Sequence, residues 1–500
     1  MNQQKDIIRD ARVLGTPKML LLGLQHMFAM FGATILVPIL VNSYFQSTSQ
    51  VLSVQVTLFC AGFGTLFFHL CTKFKVPAFL GSSFAFLGGF SSVAALDTGI
   101  FANMADKEKL QYACGGIVVA GLLYLILALI IRCVGVKRVM RFLPPVVTGP
   151  IIICIGLSLA PSAVSNASTN WLIAIVALAV IIIFNIWGKG MFKIIPILLG
   201  VVISYVFALV LQGLGFTNPD GSVILNFSGV SSAAVVGLPP FILPKFNLTA
   251  ILIMAPIAIA TMMEHIGDIS AISATVGQNF IEDPGLHRTL IGDGIATSIS
   301  AMIGGPANTT YGENTGVLEL SRVHDPKVVR LAACYAIVLS FIPKVAEIIA
   351  SMPASIIGGV SFILYGMISA IGVRNVVENH VDFTKSRNLI IAGVILVSGL
   401  GFSDGLTFTI GSTSITLTSL AIAAIAGIVL NAILPGNDYA FGKDPEGDAS
   451  RGVDLRPHEL EQELKNQKKN VYPRSAMPKT ARTRFLTSQL SSTMASAIHR

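Results

Sequence analysis

Long apolar runs of about twenty residues recur along most of this 500-residue chain. A run of that length is what a helix needs to cross the hydrocarbon core of a bilayer. Hydrophobic residues make up 53% of the sequence and charged residues only 12%, whereas a soluble domain carries about 25% charge. The pattern predicts an all-α, polytopic membrane protein.

Fourteen transmembrane segments are predicted, and their apolar cores lie near residues 19–42, 52–72, 76–96, 115–133, 142–161, 170–187, 192–212, 248–270, 286–304, 306–321, 328–350, 354–373, 388–403 and 415–434. Lys and Arg test this count because they concentrate in cytoplasmic loops. With the C-terminal tail set aside, fourteen segments leave 19 Lys and Arg inside and four outside. We therefore expect a protein of the cytoplasmic membrane with both termini in the cytoplasm.

The formal net charge of +8 is explained by these loops and does not indicate a nucleic-acid partner. Residues 1–18 form the predicted cytoplasmic N-terminus. Residues 436–500 are polar and charged without a sustained apolar period, so we expect a disordered cytoplasmic tail. The six cysteines show no spacing typical of a metal site or a disulfide framework.

The third and tenth segments are poor candidates for continuous helices. They read "VPAFLGSSFAFLGGFSSVAA" and "GGPANTTYGENTGVLEL", and both are dense in residues of low helix propensity. They lie seven segments apart, as corresponding segments do in a 7+7 inverted repeat. We predict that they pair as short extended stretches and then begin half-helices whose freed backbone groups face a ligand. The alternative is that their small residues only permit close helix packing.

Ionisable residues inside apolar segments are candidate functional groups because they are costly at membrane depth. Glu264 and Asp268 are one turn apart in the eighth segment and share a helix face. His265 lies about 100° around that helix and need not face the same partner. Glu313 lies at the break in the tenth segment. Two converging carboxyl groups suit a neutral planar ligand with N–H and C=O groups, and a protonated carboxyl would hold a coupling proton.

Structural ion pairs are the alternative role for these acids, and it is disfavoured because the sequence places few cations at that depth. His26, beside Gln25 in the first segment, either packs in the interior or lines the same cavity. Neither a zinc-binding HExxH nor a Ser/His/Asp arrangement is apparent, so we expect a transporter and not an enzyme.

Six motifs in this order, "LQHMFAMFGATILVP", "PAFLGSSFAF", "EHIGD", "DPGLHR", "NTTYGENTGV" and "GGVSFILYG", resemble those of the uracil permeases of the nucleobase–ascorbate transporter (second nucleobase–cation symporter) family. The resemblance runs from about residue 15 to 435. It implies a core domain of segments 1–4 and 8–11, at residues 19–133 and 248–350, and a gate domain of segments 5–7 and 12–14, at residues 142–212 and 354–434.

The resemblance further implies proton-coupled uracil import at the core–gate boundary by alternating access. It assigns the ligand site to Glu264, Glu313, Phe84, Ala85, Tyr311, Gly312 and Tyr365. The predicted proton-coupling residues are Glu264, Glu313, Asp268, His265 and His26. In these roles the two Glu grip the pyrimidine, Phe84 packs on it, Ala85, Tyr311 and Gly312 contribute backbone groups, and Tyr365 reaches the site from the gate.

Three positions refine this expectation. The family signature in the tenth segment begins at Glu313. Uracil-type members resemble this chain at that position, whereas xanthine and urate types usually carry Gln there. Ser321 stands at the end of that signature in place of Thr. Some uracil permeases carry a second His where this chain has Asp268, so the proton path is less constrained than the ligand site.

Two alternative functions stay open: a xanthine or urate permease of the same family, and an anion exchanger of the same fold. An anion site would favour cationic groups and helix N-termini over two facing acids. We expect no metal and no cofactor other than the coupling H⁺. The expected partners are the nucleobase and the lipid bilayer, and the family suggests a homodimer through the gate domain.

Overall fold

The computed structural model describes residues 7–45, 50–97, 99–403, 405–410, 413–436 and 439, all within one compact unit, Met1–Val453. The predicted tail at 436–500 therefore lies almost entirely outside the described residues. In the first half the elements are α1 (Thr16–Tyr44), α2 (Val54–Cys71), β1 (Leu80–Ser82), α3 (Leu87–Ala94), α4 (Asp106–Val134), α5 (Val136–Met140), α6 (Pro145–Ser158), α7 (Ala160–Ser168), α8 (Trp171–Trp187), α9 (Met191–Ile194), α10 (Pro196–Gly213) and α11 (Ser228–Ser232).

The second half contains α12 (Leu248–Met254), α13 (Ile257–Val276), α14 (Leu286–Met302), β2 (Asn308–Thr310), α15 (Gly312–Ser321), α16 (Pro326–Ser340), α17 (Pro343–Ala350), α18 (Ala354–Glu378), α19 (Ser386–Gly401), β3 (Leu406–Ile410), β4 (Thr413–Leu417) and α20 (Ser419–Ile433). Single 3₁₀ turns occur at Ala11–Leu14 and Gly99–Phe101, and a π turn at Ile281–Gly285 precedes α14. A polytopic helical membrane protein is thus confirmed.

Among the described residues, seven helices are long and apolar enough to cross a membrane, or up to eight if one bent pair counts as a span. That pair is α16 and α17, which meet at an angle of 87°. The predicted segment at 328–350 is therefore bent and is not one straight helix. Pro343 begins α17, and since proline lacks an N–H donor it favours a helix start over a helix interior. The count of fourteen segments stays a prediction.

The predicted pairing of the two broken segments is confirmed. β1 and β2 are antiparallel, with Leu80 opposite Thr310 and Ser82 opposite Asn308. Side chains of the flanking helices satisfy the outer edges of both strands. Thr65 of α2 bonds the N–H and C=O of Leu80 at 2.9 and 3.2 Å. Thr297 of α14 does the same for Asn308, at 3.2 and 3.1 Å. Non-helical backbone is thus stabilised inside the protein, as the bilayer interior requires.

A second hairpin, formed by β3 and β4, was not predicted. Thr alternates with apolar residues in "LTFTI", and "TSITL" places Ile and Leu two residues apart; such β-branched and aromatic residues are typical of strands. The predicted apolar core at 415–434 began inside β4, whereas α20 begins at Ser419. The hydrophobicity of these residues indicates a membrane segment, whereas their two-residue period indicates strands.

The most extensive helix contacts fall into two sets. One set joins α1, α2, α4, α12, α14 and α16, and the other joins α6, α7, α8, α10, α18, α19 and α20. α13 contacts members of both sets. The broken segments therefore lie among helices of the first set, while α18 packs chiefly against α6, α7 and α8.

The N-terminal segment before α1 is bound to the loop before α16. Ile8 forms a parallel bridge with Val323, and the Ala11 N–H donates to Asp325 Oδ2 at 2.8 Å. Lys327 Nζ lies 3.1 Å from Asp10 Oδ1. The segment thus contacts the chain just beyond the end of α15.

Candidate functional site

A cavity of about 70 Å³ lies between the paired strands, α13, α15 and α18. Its walls are formed by Phe84, Ile152, Glu264, Gly267, Asp268, Ala271, Thr309, Thr310, Tyr311, Gly312, Glu313, Ile368, Ile371, Arg374 and Asn375. Five of the seven predicted ligand-site residues therefore line one cavity: Phe84, Glu264, Tyr311, Gly312 and Glu313. The elements that meet here come from both sets of packed helices.

Three carboxyl groups face this cavity. Glu264 and Asp268 come from successive turns of α13, and Glu313 comes from the first turn of α15. All three are half-buried. Glu264 Oε2 is buried and has no hydrogen-bond partner among the described residues. A buried oxygen without a partner is costly and is typical of an atom that awaits a ligand or a proton.

Asp268 is held by the paired strands. Thr310 Oγ1 donates to Asp268 Oδ2 at 2.6 Å, which is the short distance typical of a hydrogen bond to a carboxylate. The neighbouring residue Thr309 has a buried hydroxyl without a partner among the described residues. Because successive side chains of a strand point to opposite faces, the Thr309 hydroxyl points away from Asp268.

Arg374 also faces the cavity, which the sequence did not predict. It lies near the end of α18, and its Nε donates to Glu378 Oε1 at 2.7 Å, one turn further on. Asn375 follows it and accepts a bond from Thr148 Oγ1 of α6 at 3.4 Å. Arg374 thus lines the same cavity as the acids, while its side chain stays 54% exposed.

Tyr311 is fixed by its neighbours at the start of α15. Its hydroxyl donates to the Ser82 carbonyl at 2.9 Å and lies 3.5 Å from Thr34 Oγ1. Its N–H donates to the Phe79 carbonyl at 3.0 Å. The ring packs directly against Gly81, where any Cβ atom would overlap it. A glycine is therefore required for this close approach of strand and ring.

Phe84 separates the central cavity from a larger one of about 830 Å³, because it lines both. Ala85 and Tyr44 line only the larger cavity. The Tyr365 ring of α18 lies 6.1 Å from the Phe84 ring, edge to face. Its hydroxyl is buried without a partner among the described residues. Tyr365 thus supports Phe84 and is not itself in the wall of the central cavity.

The two predicted histidines lie elsewhere. His265 Nδ1 is 2.9 Å from Asp293 Oδ2 of α14, and both side chains are fully buried. His26 is also fully buried, and Asn314 Nδ2 lies 3.2 Å from its Nδ1 and donates to its carbonyl at 3.0 Å. Neither histidine lines the central cavity. Within the part of the chain that the structure describes, no cluster of three or more potential metal ligands occurs.

The chain is similar to known permeases along most of its length. A family model described as Permease family (Xan_ur_permease) matches residues 17–408. The uracil permease of Bacillus caldolyticus is 40% identical over 455 residues, which cover 88% of this chain and 97% of that protein. The uracil permease of Bacillus subtilis is 42% identical over 432 residues, covering 83% of this chain and 92% of that protein.

A solved structure shares the fold at much lower identity. The transmembrane domain of a cyanobacterium bicarbonate transporter, BicA, superposes with a TM-score of 0.55 at 15% identity. The match covers 85% of this chain and 100% of that domain. Similarity at this level concerns the fold alone, because unrelated substrates are carried by shared architectures.

Proposed function

The chain belongs to the nucleobase–ascorbate transporter family as a relative of uracil permeases, and from this premise we propose that it carries uracil across the cell membrane together with a proton. One observation carries the proposal: Glu264 and Glu313 come from different elements and face the same small cavity. The relatives supply the substrate class, and the cavity supplies groups that recognise it.

Uracil is planar, and its edge alternates N–H donors with C=O acceptors. In the proposal, Glu264 and Glu313 accept from the ring N–H groups, since a carboxylate is an acceptor only. The backbone N–H groups at the start of α15 donate to a ring carbonyl, because the first N–H groups of a helix have no partner within it. Phe84 packs on the ring face from the opposite wall, held by its edge-to-face contact with Tyr365.

The coupling proton is proposed to reside on the same acids. Three carboxyl groups around a cavity of about 70 Å³ repel one another when ionised. A proton shared among Glu264, Asp268 and Glu313 lowers that repulsion and supplies one O–H donor for a uracil carbonyl. Substrate and proton would then bind together. The positions of His26 and His265 outside the cavity wall favour the carboxyl groups as the proton carriers.

Alternating access is supported by the cavities on either side of this site. The 830 Å³ cavity reaches Phe84 from one side. A third cavity, of about 230 Å³, reaches Glu313 from the side of Lys193, which the charge bias assigns to the cytoplasm. We propose that the core helices move against the gate helices and open the site to each side in turn, with both termini inside.

The inverted repeat is supported by the two threonines that flank the strands. Thr65 and Thr297 each bond both backbone groups of the first residue of a strand, and they lie in the second and ninth predicted segments. Equivalent contacts seven segments apart are expected of two halves related by a pseudo-two-fold axis. The division into core and gate is in turn supported by the two sets of packed helices. A homodimer through the gate remains part of the proposal.

Uptake of labelled uracil into proteoliposomes with an imposed inward proton gradient tests the proposal, with xanthine and bicarbonate as competitors. We expect accumulation that an ionophore abolishes and that neither competitor inhibits. Glu264→Gln and Glu313→Gln should each abolish gradient-driven accumulation in folded protein. Glu319→Gln is the matched control, because Glu319 is an exposed acid of the same helix as Glu313.

Each contrary result has a defined meaning. Transport of xanthine without uracil would identify a purine permease of the same family. Transport of bicarbonate alone would favour an anion exchanger of this fold. Normal gradient-driven accumulation in Glu264→Gln would remove Glu264 from the coupling mechanism.

A further inference from the structure

The cavity of about 230 Å³ next to the central site follows one face of α15. Glu313, Gly316, Val317 and Leu320 line it, and their spacing of three or four residues places them on the same side of the helix. From Glu313 to Leu320 a helix rises about 10 Å, at roughly 1.5 Å per residue. An added Cβ atom at Gly316 would meet nothing within 4 Å, so this face is open at its middle. The cavity therefore extends well beyond the part of α15 that lines the central site.

Most of the remaining wall is apolar and comes from α1, α10 and α18. Apart from Glu313, the polar side chains among the described lining residues are those of Asn185 and Lys193. Asn185 lies in the last turn of α8, and Lys193 lies on α9. An apolar cavity with a few polar groups is typical of a small-molecule site.

The turn between α8 and α9 brings these two polar residues close together. Phe184 precedes Asn185 and Phe192 precedes Lys193, and the centroids of the two phenyl rings lie 5.8 Å apart. The turn is tight, because a Cβ atom on Gly188 would lie 3.2 Å from the Lys193 backbone nitrogen. Both polar side chains are exposed, and within the described part of the chain neither has a hydrogen bond or an ion pair. Their donors and the amide acceptor are thus available to a ligand.

The two cavities adjoin, since they share the wall residues Gly312, Glu313, Ile368 and Ile371. The charge bias assigns Lys193 to the cytoplasmic side. The larger cavity therefore lies on a route from the central site to the cytoplasm. An acyl chain from the bilayer would match its apolar walls but would leave the Asn185 amide and the Lys193 ammonium without a partner.

We propose that this cavity is a second uracil site, occupied by the base on its way between Glu313 and the cytoplasm. The Asn185 amide accepts from a ring N–H and donates to a ring carbonyl, and the Lys193 ammonium donates to the other carbonyl. The ring lies between the apolar side chains of α15 and α18. This inference rests on the uracil transport proposed above, and it adds a binding position to it.

Equilibrium dialysis of labelled uracil against the purified full chain in detergent tests the second site. We expect two uracil molecules per chain at saturation, one bound tightly in the central cavity and one bound more weakly. Asn185→Leu and Lys193→Met should each weaken the second molecule by about fivefold or more, since each variant loses hydrogen bonds to the base. Binding of the tight molecule should change by less than about twofold. Glu264→Gln should do the reverse, because Glu264 lines only the central cavity.

Lys189→Met is the matched control, because Lys189 is an exposed cation of the same turn and is not a lining residue. It should bind both molecules as the unmodified chain does. One uracil per chain at saturation would overturn the second site and leave the proposed transport standing. A second molecule that binds equally to the control, Asn185→Leu and Lys193→Met would also overturn it. Absence of any bound uracil would contradict the proposed transport itself. Retained tight binding shows that a variant is folded, and the count for the unmodified chain needs no variant.

Discussion

Replacing Thr310 with valine removes one hydrogen bond from the wall of the central cavity. The two side chains have nearly the same shape, so the packing of β2 is retained while the donor to Asp268 is lost. The neighbouring Thr309 offers a matched control, because its buried hydroxyl has no partner among the described residues. Both threonines line the same cavity, and only one of them bonds a carboxyl group.

The size of the effect follows from the geometry of this bond. At 2.6 Å the Thr310 hydroxyl is within the range of charge-assisted O–H···O hydrogen bonds. Hydrogen bonds to charged groups contribute about 1.5–3 kcal/mol, or roughly 10- to 150-fold in an equilibrium constant. Asp268 is half-buried and has at least one further interaction, so we expect the lower end of that range. Because the bond is present without ligand, Thr310→Val should lower the free energy of unfolding by about 1.5 kcal/mol, and the displaced Asp268 in the cavity wall should weaken uracil binding as well.

Isothermal titration calorimetry of the purified protein in detergent measures this effect, with the unfolding temperature recorded for each variant. Thr310→Ser should bind uracil as the unmodified chain does, since it retains the hydroxyl. Thr309→Val should change the dissociation constant by less than about twofold and should not lower the unfolding temperature. If Thr310→Val matched Thr309→Val in both measurements, the reasoning that this hydroxyl positions Asp268 would be refuted.

Three further predictions concern other parts of the structure. Gly81→Ala should displace the Tyr311 ring, cost about 1–3 kcal/mol of stability and lower the unfolding temperature; an unchanged value would contradict the close approach. The Arg12 guanidinium holds the pKa of Asp10 well below its ordinary value. The ionised Asp10 therefore contributes its full stability above about pH 4 and loses it as the pH falls towards the lowered pKa. In thermal melts, the difference in unfolding temperature between the unmodified chain and Asp10→Asn should shrink below about pH 4. Asp293→Asn leaves a buried imidazole without its acidic partner and should lower the unfolding temperature, yet change the uracil dissociation constant less than twofold; a tenfold change would link this pair to the site.

The broken segments and the three acids of the cavity were predictable because they violate local rules. Glu264, Asp268 and Glu313 interrupt apolar runs, and glycines with threonines replace helix formers around β1 and β2. Packing alone explains neither departure. Arg374 gave no such signal. A cation at the end of an apolar run is expected to face the cytoplasm, and the sequence does not show that α18, packed against α6, also brings Arg374 to the edge of the cavity.

The motif "EHIGD" shows how helical geometry outweighs proximity in sequence. Glu264 and His265 are adjacent, yet a step of about 100° per residue directs them to different partners. Glu264 faces the cavity together with Asp268, one turn later, whereas His265 faces Asp293 on α14. In the proposed mechanism, a proton on Glu264 would therefore meet the Asp268 carboxyl group of the same helix face before it met an imidazole. For this reason we predict that replacement of Asp268, where some uracil permeases carry a histidine, also alters the proton dependence of uptake.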